Sequence, residues 1–280
     1  GTLAGLLRVR MLSMNDAHIY CTLDQVAEEV ASNVRMVQDY YSAFGFEDYS
    51  FRLSLWDPEK TSKYIDQPEN WALTQDRLRS IMDDLGVDYV EAVGEAAFYG
   101  PKVDIQFRTA LGREESMSTI QLDFAAKERF GLSYMDETGS ENGEVLVIHR
   151  APLSTHERFV AFLTEHWMGN FPTWLSPTQV QIITISERHA EHAAKVALDL
   201  REQGIRVSLD DSDSTIGRKI RTHRKMRPAY MLIIGEDEAE NGTVSIRARN
   251  GDQRNGVLLE DFIEGIVEEI KSRSPSMTMV

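Results

Sequence analysis

The first part of the chain shows a short hydrophobic rhythm before a longer one. Apolar and polar residues alternate along Leu6–Met11, and Ala17–Cys21 has the character of a second short strand. The dipeptide Asn15-Asp16 between them is a turn signal, so we predict an antiparallel hairpin. In this hairpin, Arg8 and Arg10 would point to the same side of the first strand.

Longer segments carry apolar residues three and four positions apart and predict helices. The clearest runs from Leu23 to Phe44 and stops at Gly45, and another runs from Trp71 to Leu85. Strands are predicted over residues 49–55, 103–108 and a segment that ends at residue 124. Antiparallel strands with helices packed on them form an α+β layout.

A corner between a strand and a helix follows. A short apolar run leads to His149, and a turn containing proline comes next. Ser154 and Glu157 have the spacing of a capping box, so we predict a helix that begins at Ser154 and ends near Gly169. His149 and Arg158 would lie at this corner, either with a function or as the ordinary end of a strand and the surface of a helix.

A different rhythm begins after the proline-containing segment Phe171–Pro177. Strands are predicted over residues 180–186, 206–209, 230–234 and 244–249, and helices over 190–203, 216–226 and 259–272. This alternation predicts an α/β sheet with mostly parallel pairing. We therefore expect a first domain over residues 1–172, a linker over 173–176, a second domain over 177–273, and a disordered tail over 274–280.

Composition narrows the setting of the protein. Of the 280 residues, 42% are hydrophobic, which is enough for two domains with their own cores. The sequence has neither an apolar run of about 20 residues nor an N-terminal targeting signal. The single cysteine, Cys21, excludes an internal disulfide and favours a reducing, cytoplasmic setting. Because Gly1 rather than methionine comes first, we expect an earlier part of the protein to be missing.

The charge is negative overall but unevenly distributed. The formal net charge of −15 argues against nucleic-acid binding through bulk attraction. Residues 1–176 hold 15 basic and 28 acidic residues, whereas residues 177–280 hold 15 and 17. Within the second part, Arg218–Arg227 has six basic residues and no acidic one. This segment is either an RNA-binding patch or a solvated helix face, and composition does not separate the two.

Cationic residues at three places could form a phosphate-binding site. These are the two arginines of the first hairpin, Lys102 after its Gly-Pro turn, and Arg158 near a helix start. Arginine offers fixed donors for phosphate oxygens, and lysine adds a point charge. The sequence has no Gly-rich phosphate loop, so a nucleotide would be held by the sheet and these cations. The alternative is that they form structural salt bridges with nearby acidic residues.

A metal site is the second candidate. His18 and His149 lie on or beside predicted strands and could meet in space, although two distant histidines are more often unrelated. Cys21 lies three positions from His18, an offset that points to the opposite face of a strand. If zinc binds here, a further protein ligand has to come from outside this chain. Hydrolase and glycosidase sites have little support, because no suitable triad or carboxylate pair stands out.

Taken together, the separated motifs resemble those of bacterial threonyl-tRNA synthetases. In the order of that family they are Gly5–Arg10 (GLLRVR), Asn15–Cys21 (NDAHIYC), Phe98–Lys102 (FYGPK), Ser118–Phe124 (STIQLDF), His149–Ala151 with Glu157-Arg158, and Phe171–Pro177 (FPTWLSP). The resemblance covers Gly1 to about Arg273. It implies an α+β class II aminoacyl-tRNA synthetase catalytic core, an antiparallel sheet with helices that starts inside motif 2, followed by a smaller α/β anticodon-binding domain.

The resemblance implies roles for the cationic residues. Arg8 matches a motif 2 arginine at the ATP phosphates, Arg158 matches the motif 3 arginine, and Lys102 matches a substrate-pocket lysine. ATP would bring Mg²⁺ with it. In the second domain, the positions that match residues facing anticodon bases are Arg221, Glu238 and Arg247.

The resemblance also implies how the amino acid is selected. His18 and His149 match two of three zinc ligands, and the third in the family is a cysteine upstream of motif 2 that would lie before Gly1. Zinc would bind the amino and hydroxyl groups of threonine. The positions that match residues around threonine are Asp16, Tyr99 and Gln121.

The implied activity is threonine–tRNA ligation, in which threonine is activated with ATP and transferred to tRNA(Thr). The resemblance implies a cytoplasmic enzyme with no membrane association that is a homodimer at full length. Because the third zinc ligand and the leading motif 2 arginine are not in the sequence, we expect this fragment to be inactive and to bind zinc weakly. Departures from the family include Ser154, which replaces a motif 3 glycine, and Met11, Leu12 and Met14 in motif 2.

Two alternatives remain at the level of sequence. A non-catalytic synthetase-like protein with an RNA-binding or regulatory role would also fit a chain without the start of motif 2. A synthetase for proline, glycine or histidine would share the type of second domain, although it would have no reason to keep Asp16 and the two histidines. Metal content and aminoacylation assays would separate these hypotheses.

Overall fold

In the computed structural model, which describes residues 2–60, 62–109 and 112–279, the chain divides into two units. The first is Gly1–His166 and the second is Trp167–Val280. The predicted boundary at residues 172 and 173 therefore lies inside the second unit. None of the helices in the described ranges is long and apolar enough to cross a membrane.

A six-stranded sheet forms the centre of the first unit. Its order is β1-β8-β5-β4-β2-β3, and every pairing is antiparallel except that of β2 with β3. A separate hairpin is formed by β6 and β7. The strands are β1 (Ala17–Cys21), β2 (Tyr49–Leu55), β3 (Tyr89–Val93), β4 (Lys102–Arg108), β5 (Glu114–Asp123), β6 (Tyr134–Met135), β7 (Glu141–Asn142) and β8 (Leu146–Ala151).

Helices of the first unit in the described residues are α1 (Val26–Phe44), α2 (Pro68–Asp84), α3 (Ala126–Phe130) and α4 (His156–His166). The predicted periodicity of α1 is confirmed, because Val26, Val30, Val34, Val37 and Tyr41 are all buried. Burial of such a side chain stabilises the fold by roughly 1.5–3 kcal/mol. The Tyr41 hydroxyl lies 2.5 Å from Ser118 Oγ and so joins α1 to β5. The helix ends at Gly45, whose φ of 77° suits a residue without Cβ.

The first predicted strand, Leu6–Met11, is not formed. Residues 5–7 make a 3₁₀ turn, and the backbones of Ala4 and Arg8 hydrogen bond to each other. β1 pairs with β8 instead of forming the predicted hairpin. An alternating segment gains ladder hydrogen bonds only when a partner strand lies beside it, and here the segment turns back on itself, so Arg8 lies on an exposed loop.

The helix after His149 begins at His156 rather than at the predicted Ser154 and ends at His166 rather than near Gly169. Ser154 has φ of 56°, a left-handed conformation that cannot belong to the helix. Thr155 is the capping residue, because its Oγ1 accepts a hydrogen bond from the Arg158 amide at 3.1 Å. The Glu157 carboxylate accepts a hydrogen bond from the Ser13 amide.

The second unit contains a five-stranded sheet of order β10-β9-β11-β12-β13. β9 pairs in parallel with β10 and β11, but β12 pairs antiparallel with β11 and with β13. The sheet is therefore mixed, and the prediction of mostly parallel pairing is wrong, since a tight turn joins β12 to β13 and such a turn forces antiparallel pairing. The strands are β9 (Val180–Thr184), β10 (Val207–Asp210), β11 (Tyr230–Ile234), β12 (Thr243–Ala248) and β13 (Gln253–Leu258).

Helices α5 (Ala190–Glu202), α6 (Ile216–Arg224), α7 (Glu236–Asn241) and α8 (Leu259–Lys271) complete this unit. α5 and α8 contribute to one core with the central strands, through residues such as Val196, Leu200, Phe262 and Ile266. The unpredicted elements of this unit include β13 and α7. β13 has polar residues at half of its positions, and α7 spans only six residues, so neither carries a clear hydrophobic period.

The segment predicted as a linker belongs to the second unit. Thr173 and Ser176 are buried. The Arg206 guanidinium donates to the carbonyl oxygens of Trp174 and Ser176, at 2.8 Å in each case. Such bonds satisfy main-chain carbonyls that would otherwise be buried without a partner, so these residues are held as part of the fold.

The predicted disordered tail, residues 274–280, is also different in the structure over its described part. The Thr278 amide and hydroxyl both donate to the Glu269 carboxylate, at 2.8 and 2.7 Å. The side chain of Met279 is buried in the core of the second unit. A buried carboxylate needs donors, and the tail supplies two of them to Glu269.

Candidate functional site

Four predicted site residues lie in one row across the sheet of the first unit. His18 on β1 pairs with His149 on β8, His149 pairs with Gln121 on β5, and Gln121 pairs with Lys102 on β4. Residues directly opposite each other in antiparallel strands project from the same face. Strand register therefore places two imidazoles, an amide and an ammonium side by side, although the residues are far apart in sequence.

A cleft of about 370 Å³ lies over this row. Six of the eight predicted catalytic, substrate-binding and metal residues line it: Asp16, Tyr99, Lys102, Gln121, His149 and Arg158. His18 adjoins the cleft through its contact with His149, with ring centroids 4.5 Å apart. Arg8 is not among the residues that line the cleft in the described part of the chain, because the strand predicted to carry it is absent.

The two histidines lie side by side and could both contribute a nitrogen to a metal. His149 Nε2 lies 3.0 Å from Asp123 Oδ2, a carboxylate contact of the kind that orients metal-ligating histidines and leaves Nδ1 for the metal. His18 Nδ1 lies 4.0 Å from Asp16 Oδ2. Within residues 2–60, 62–109 and 112–279, no group of three metal-ligating side chains occurs. The pair therefore fits a metal that takes a further ligand from elsewhere.

Cys21 does not supply that ligand. It is buried on β1, whereas His18 and Tyr20 on the same strand are exposed, so the thiol lies on the other face as the offset of three predicted. Burial, assisted by the charge of Glu29, raises the pKa of Cys21 to about 11. The thiol is consequently neutral at physiological pH and is a poor metal ligand in this state.

A buried carboxylate, Asp104, contributes to the lining of the cleft and was not predicted from the sequence. Lys102 Nζ lies 2.8 Å and Arg52 Nη2 3.1 Å from its Oδ2. Burial alone would raise the pKa of Asp104, but the Lys102 ammonium and hydrogen bonds from Lys102, Ser54 and Arg52 outweigh it and hold the pKa below its ordinary value. Its position between the apolar residues Val103 and Ile105 is typical of a strand but does not indicate that the aspartate is buried.

A tyrosine, Tyr99, contacts the two middle members of the row, Gln121 and His149. The Tyr99 hydroxyl donates a short hydrogen bond to Gln121 Oε1, and its ring lies 5.2 Å from that of His149. Burial, followed by the charges of Asp123 and Asp16, raises the pKa of Tyr99. Tyr99 is therefore a neutral phenol that donates one hydrogen bond to Gln121 and keeps lone pairs for a ligand.

Arg158 is held at the cleft by the N-terminal loop. Its Nε donates to the Leu7 carbonyl oxygen at 3.2 Å, and its amide is capped by Thr155. Ser154 also lines the cleft, in the left-handed conformation noted above. A non-glycine residue with this backbone is strained, and it stands beside the arginine at the start of α4.

The basic segment of the second unit is largely exposed but has one buried member. On α6, Arg218, Arg221 and Arg224 are exposed, in agreement with either a solvated or an RNA-binding face. Lys219 is fully buried, and its Nζ donates to the Thr184 carbonyl oxygen at 2.9 Å and to Thr184 Oγ1 at 3.1 Å. Lys219 therefore anchors the helix rather than adding to its outer charge.

The other predicted RNA-facing residues make internal contacts. The Glu238 carboxylate accepts hydrogen bonds from the Gly235 amide at 2.9 Å and from Ser245 Oγ at 2.6 Å, so it also fixes the start of α7 against β12. Arg247 is half-buried, and its Nη2 lies 3.0 Å from Gln253 Oε1. Ser245 and Arg247 lie two positions apart on β12, on the face opposite the core residues Val244 and Ile246.

The geometry of the first unit suits a small zwitterionic ligand next to an anionic one. Imidazoles and neutral hydrogen-bonding groups occupy one end of the row, and Lys102 and Arg158 provide positive charge along the cleft. Such cations can offset charge that develops on phosphate oxygens. The second unit offers exposed arginines on a short helix, a surface suited to a polyanion.

Comparison with known proteins gives the same division of the chain. A family model described as tRNA synthetase class II core domain (G, H, P, S and T) matches residues 2–167. A second model, described as anticodon binding domain, matches residues 179–269. These matches cover most of the first unit and most of the second.

Individual similar proteins are described as threonyl-tRNA synthetases. The threonine–tRNA ligase of Bacillus velezensis is 50% identical over 272 residues, which are 97% of this chain and 42% of that protein. A crystal structure described as the RNA binding domain of threonyl-tRNA synthetase from Cryptosporidium parvum is 35% identical with a TM-score of 0.87, covering 100% of this chain and 68% of that one. For a threonyl-tRNA synthetase structure from Aeropyrum pernix, the identity is 25%, the TM-score 0.74, and the coverage 100% and 68%. The chain thus spans less than half the length of the curated bacterial relative.

Proposed function

The chain belongs to the threonyl-tRNA synthetase family of class II tRNA synthetases, and we propose that it takes part in threonine–tRNA ligation. In this proposal the first unit binds threonine and ATP, and the second unit recognises tRNA. The observation that carries it is the row His18, His149, Gln121 and Lys102, which strand register brings together over one cleft. A row of this composition has one end for an amino acid and one for phosphate.

The amino-acid end comprises His18, His149, Tyr99 and Gln121, with Asp16 at its rim. A zinc ion bound by the two histidines would act as a Lewis acid that selects the amino and hydroxyl groups of threonine. Support comes from the Asp123 contact, which orients His149 for ligation. Asp16 lines the same cleft and offers an acceptor for the substrate hydroxyl. Valine lacks this hydroxyl and would leave Asp16 unpaired, a loss that can reach about 10⁴-fold.

At the nucleotide end, Lys102 and Arg158 bind phosphate oxygens of ATP, and ATP brings Mg²⁺ with it. The threonine carboxylate then attacks the α-phosphate in line, which forms threonyl adenylate and releases pyrophosphate, and the two cations offset the charge that develops there. Arg8 joins them only if its exposed loop changes conformation, since Arg8 does not line the cleft. We expect the loop to change conformation when ATP binds.

The second unit would bind the anticodon through Arg221 and Arg247, with Glu238 at the start of α7. Exposed arginines along α6 support contact with the RNA backbone. We also propose that the protein functions as a homodimer in the cytoplasm, as expected from the resemblance. These assignments depend on the family and on the exposed charges of this unit.

Threonine-dependent ATP–pyrophosphate exchange tests the proposal in the full-length protein. We expect His149→Ala to lower exchange by at least 100-fold and to reduce bound zinc, because it removes one of two histidine ligands. His156→Ala is the matched control, since His156 is an exposed histidine of the same unit. Exchange and zinc content that both survive His149→Ala would contradict the proposed site. Binding of tRNA without exchange would instead favour the non-catalytic RNA-binding alternative.

A further inference from the structure

We propose that Asp104 is a positioning residue for the reaction: it fixes the Lys102 ammonium and sets the direction of a hydrogen-bond chain through Thr119 and Gln121 to Tyr99. This inference rests on the proposed function for its substrates. In this proposal, the buried side chain of Asp104 controls both Lys102 and Tyr99. Asp104 itself is not among the residues proposed above to contact threonine, ATP or metal.

Four side chains donate to the Asp104 carboxylate. Ser54 Oγ lies 2.7 Å and Arg52 Nη2 3.1 Å from Oδ2, while Thr119 Oγ1 lies 3.0 Å from Oδ1. Lys102 Nζ is within 3.1 Å of Oδ1 and 2.8 Å of Oδ2. Asp104 is fully buried, so these four side chains replace its hydration. An isolated buried carboxylate would be too costly to keep ionised.

Asp104 restricts the position of the Lys102 side chain. Lys102 and Asp104 are two positions apart on β4, so their side chains leave the same face of the strand. A lysine stem has four rotatable bonds and loses this freedom only when its ammonium is bound. Both oxygens of Asp104 bind the ammonium, which holds it at the cleft that Lys102 lines.

The charge of Asp104 also sets the direction of the hydrogen bonds between Thr119, Gln121 and Tyr99. An ionised carboxylate can only accept, so the Thr119 hydroxyl must donate its proton to Asp104. The Thr119 oxygen then accepts from Gln121 Nε2, which lies 3.2 Å away. This orients the Gln121 amide, and its Oε1 accepts from the Tyr99 hydroxyl. One buried charge therefore fixes the donors and acceptors of three neutral side chains in sequence.

The consequence is a cleft with a defined polarity. Tyr99 directs its proton to Gln121, so its free lone pairs face the ligand as acceptors and favour a group that donates, such as an ammonium. Lys102 presents positive charge at the other end and favours an anion. Removal of the charge on Asp104 should weaken both preferences, because an amide in its place could donate as well as accept.

The variant Asp104→Asn tests this while keeping the shape of the side chain. In the full-length protein we expect the kcat of threonine-dependent exchange to fall about 100-fold, with the KM for tRNA in aminoacylation changed less than threefold. Thr119→Val breaks the chain to Gln121 but leaves the Lys102–Asp104 ion pair. For it we expect the KM for threonine to rise about tenfold with a smaller change in kcat.

The variant Ser54→Ala distinguishes a purely structural role of Asp104 from a positioning role. This change removes one hydrogen bond to the same carboxylate but touches neither Lys102 nor the chain to Tyr99. We expect it to lower the midpoint of urea unfolding while exchange stays within twofold of wild type. Activity that falls in all three variants in proportion to the loss of stability would overturn the inference.

A readout independent of activity is the side-chain amide of Gln121, observed by NMR in the whole 280-residue chain. We expect one set of amide resonances with slow hydrogen exchange in the wild type, and exchange at least tenfold faster in Asp104→Asn. An unchanged Gln121 amide in that variant would refute the positioning role. If the wild type has no threonine-dependent exchange but the amide behaves as expected, the proposed function fails while the positioning role of Asp104 stands.

Discussion

Asp104 in the first unit and Lys219 in the second are both buried charges, and they are stabilised by different kinds of partner. The anion of Asp104 is surrounded by two cations and two hydroxyls. The cation of Lys219 has no carboxylate among its hydrogen-bond partners in the described residues; it donates to carbonyl and hydroxyl oxygens of Thr184 and to the Asp210 carbonyl oxygen. One charge is neutralised, and the other is solvated by neutral dipoles.

The two kinds of partner match the different roles of the two buried charges. The carbonyls around Lys219 belong to the last residues of β9 and β10, so the lysine ties α6 to the ends of two parallel strands and leaves the outer arginines available. Around Asp104, the partner Lys102 also lines the cleft. A buried ion pair can therefore hold a charged group in place for a ligand, whereas a lysine bound to carbonyl oxygens serves mainly to fix a helix.

Lys219→Ala should have the largest effect on stability. It leaves the Thr184 and Asp210 carbonyl oxygens without this donor and creates a cavity, with an expected loss of about 3 kcal/mol in the free energy of unfolding. Hydrogen exchange should quicken in β9 and β10 and stay unchanged in β4 and β5. Arg218→Ala, an exposed change on the same helix, should cost no more than about 0.5 kcal/mol.

An equal response of the two Ala variants would break the comparison, because it would mean that the burial of Lys219 contributes nothing beyond ordinary surface charge. Faster exchange in the first unit would also contradict it. Peptides from each unit can be followed separately by mass spectrometry, so the assay does not depend on a single unfolding transition.

Arg52→Ala should have a smaller effect, because Asp104 keeps its ion pair with Lys102. We expect a loss of about 1–2 kcal/mol, since the Arg52 side chain is still 24% exposed and solvent screens part of the interaction. The pKa of Asp104 in the folded state should rise toward its ordinary value once this donor is gone.

The pH dependence of stability tests whether Arg52 acts through the ionised form of Asp104. A carboxylate whose folded pKa is depressed contributes stability that is present above its unfolded pKa of about 3.9 and is lost as pH falls through the folded pKa. In Arg52→Ala this contribution is smaller, so the wild-type advantage in urea midpoint at pH 7 should shrink as the pH falls below about 4. An advantage that stays constant down to pH 2 would show that Arg52 acts without Asp104.

Elements with a strong hydrophobic period were predicted from the sequence. The limits of β2 were predicted correctly, and α1 has the buried face expected from its valines. Most of the residues named from the resemblance line one cleft. Local patterns suffice here because buried faces repeat within one element.

The two buried charges could not be predicted in this way. Asp104 alternates with Val103 and Ile105, a pattern that normally marks an exposed polar face, and it is buried because partners from β2, β4 and β5 cover it. Lys219 has an apolar stem that suits a buried position, but its acceptors lie 9 and 35 residues away. Long-range polar contacts of this kind have no local signature.

Asp210→Asn should have the smallest effect and sharpens the comparison on the same helix. The Asp210 carboxylate lies 2.6 Å from His223 Nε2, on the turn of α6 that follows Lys219. Burial would raise the pKa of Asp210, but hydrogen bonds from Ser212 and His223 outweigh it and lower the pKa. Because both side chains keep about a fifth of their surface exposed, we expect a loss of only about 1 kcal/mol at pH 7. The loss should vanish as pH falls through the folded pKa, since wild-type Asp210 is then also uncharged.

The exposed neighbour Asp211→Asn is the control, and urea unfolding at pH 7 and pH 3 is the measurement. A cost larger than that of Lys219→Ala would mean that the contact between Asp210 and His223, and not the buried lysine, holds α6 to the sheet.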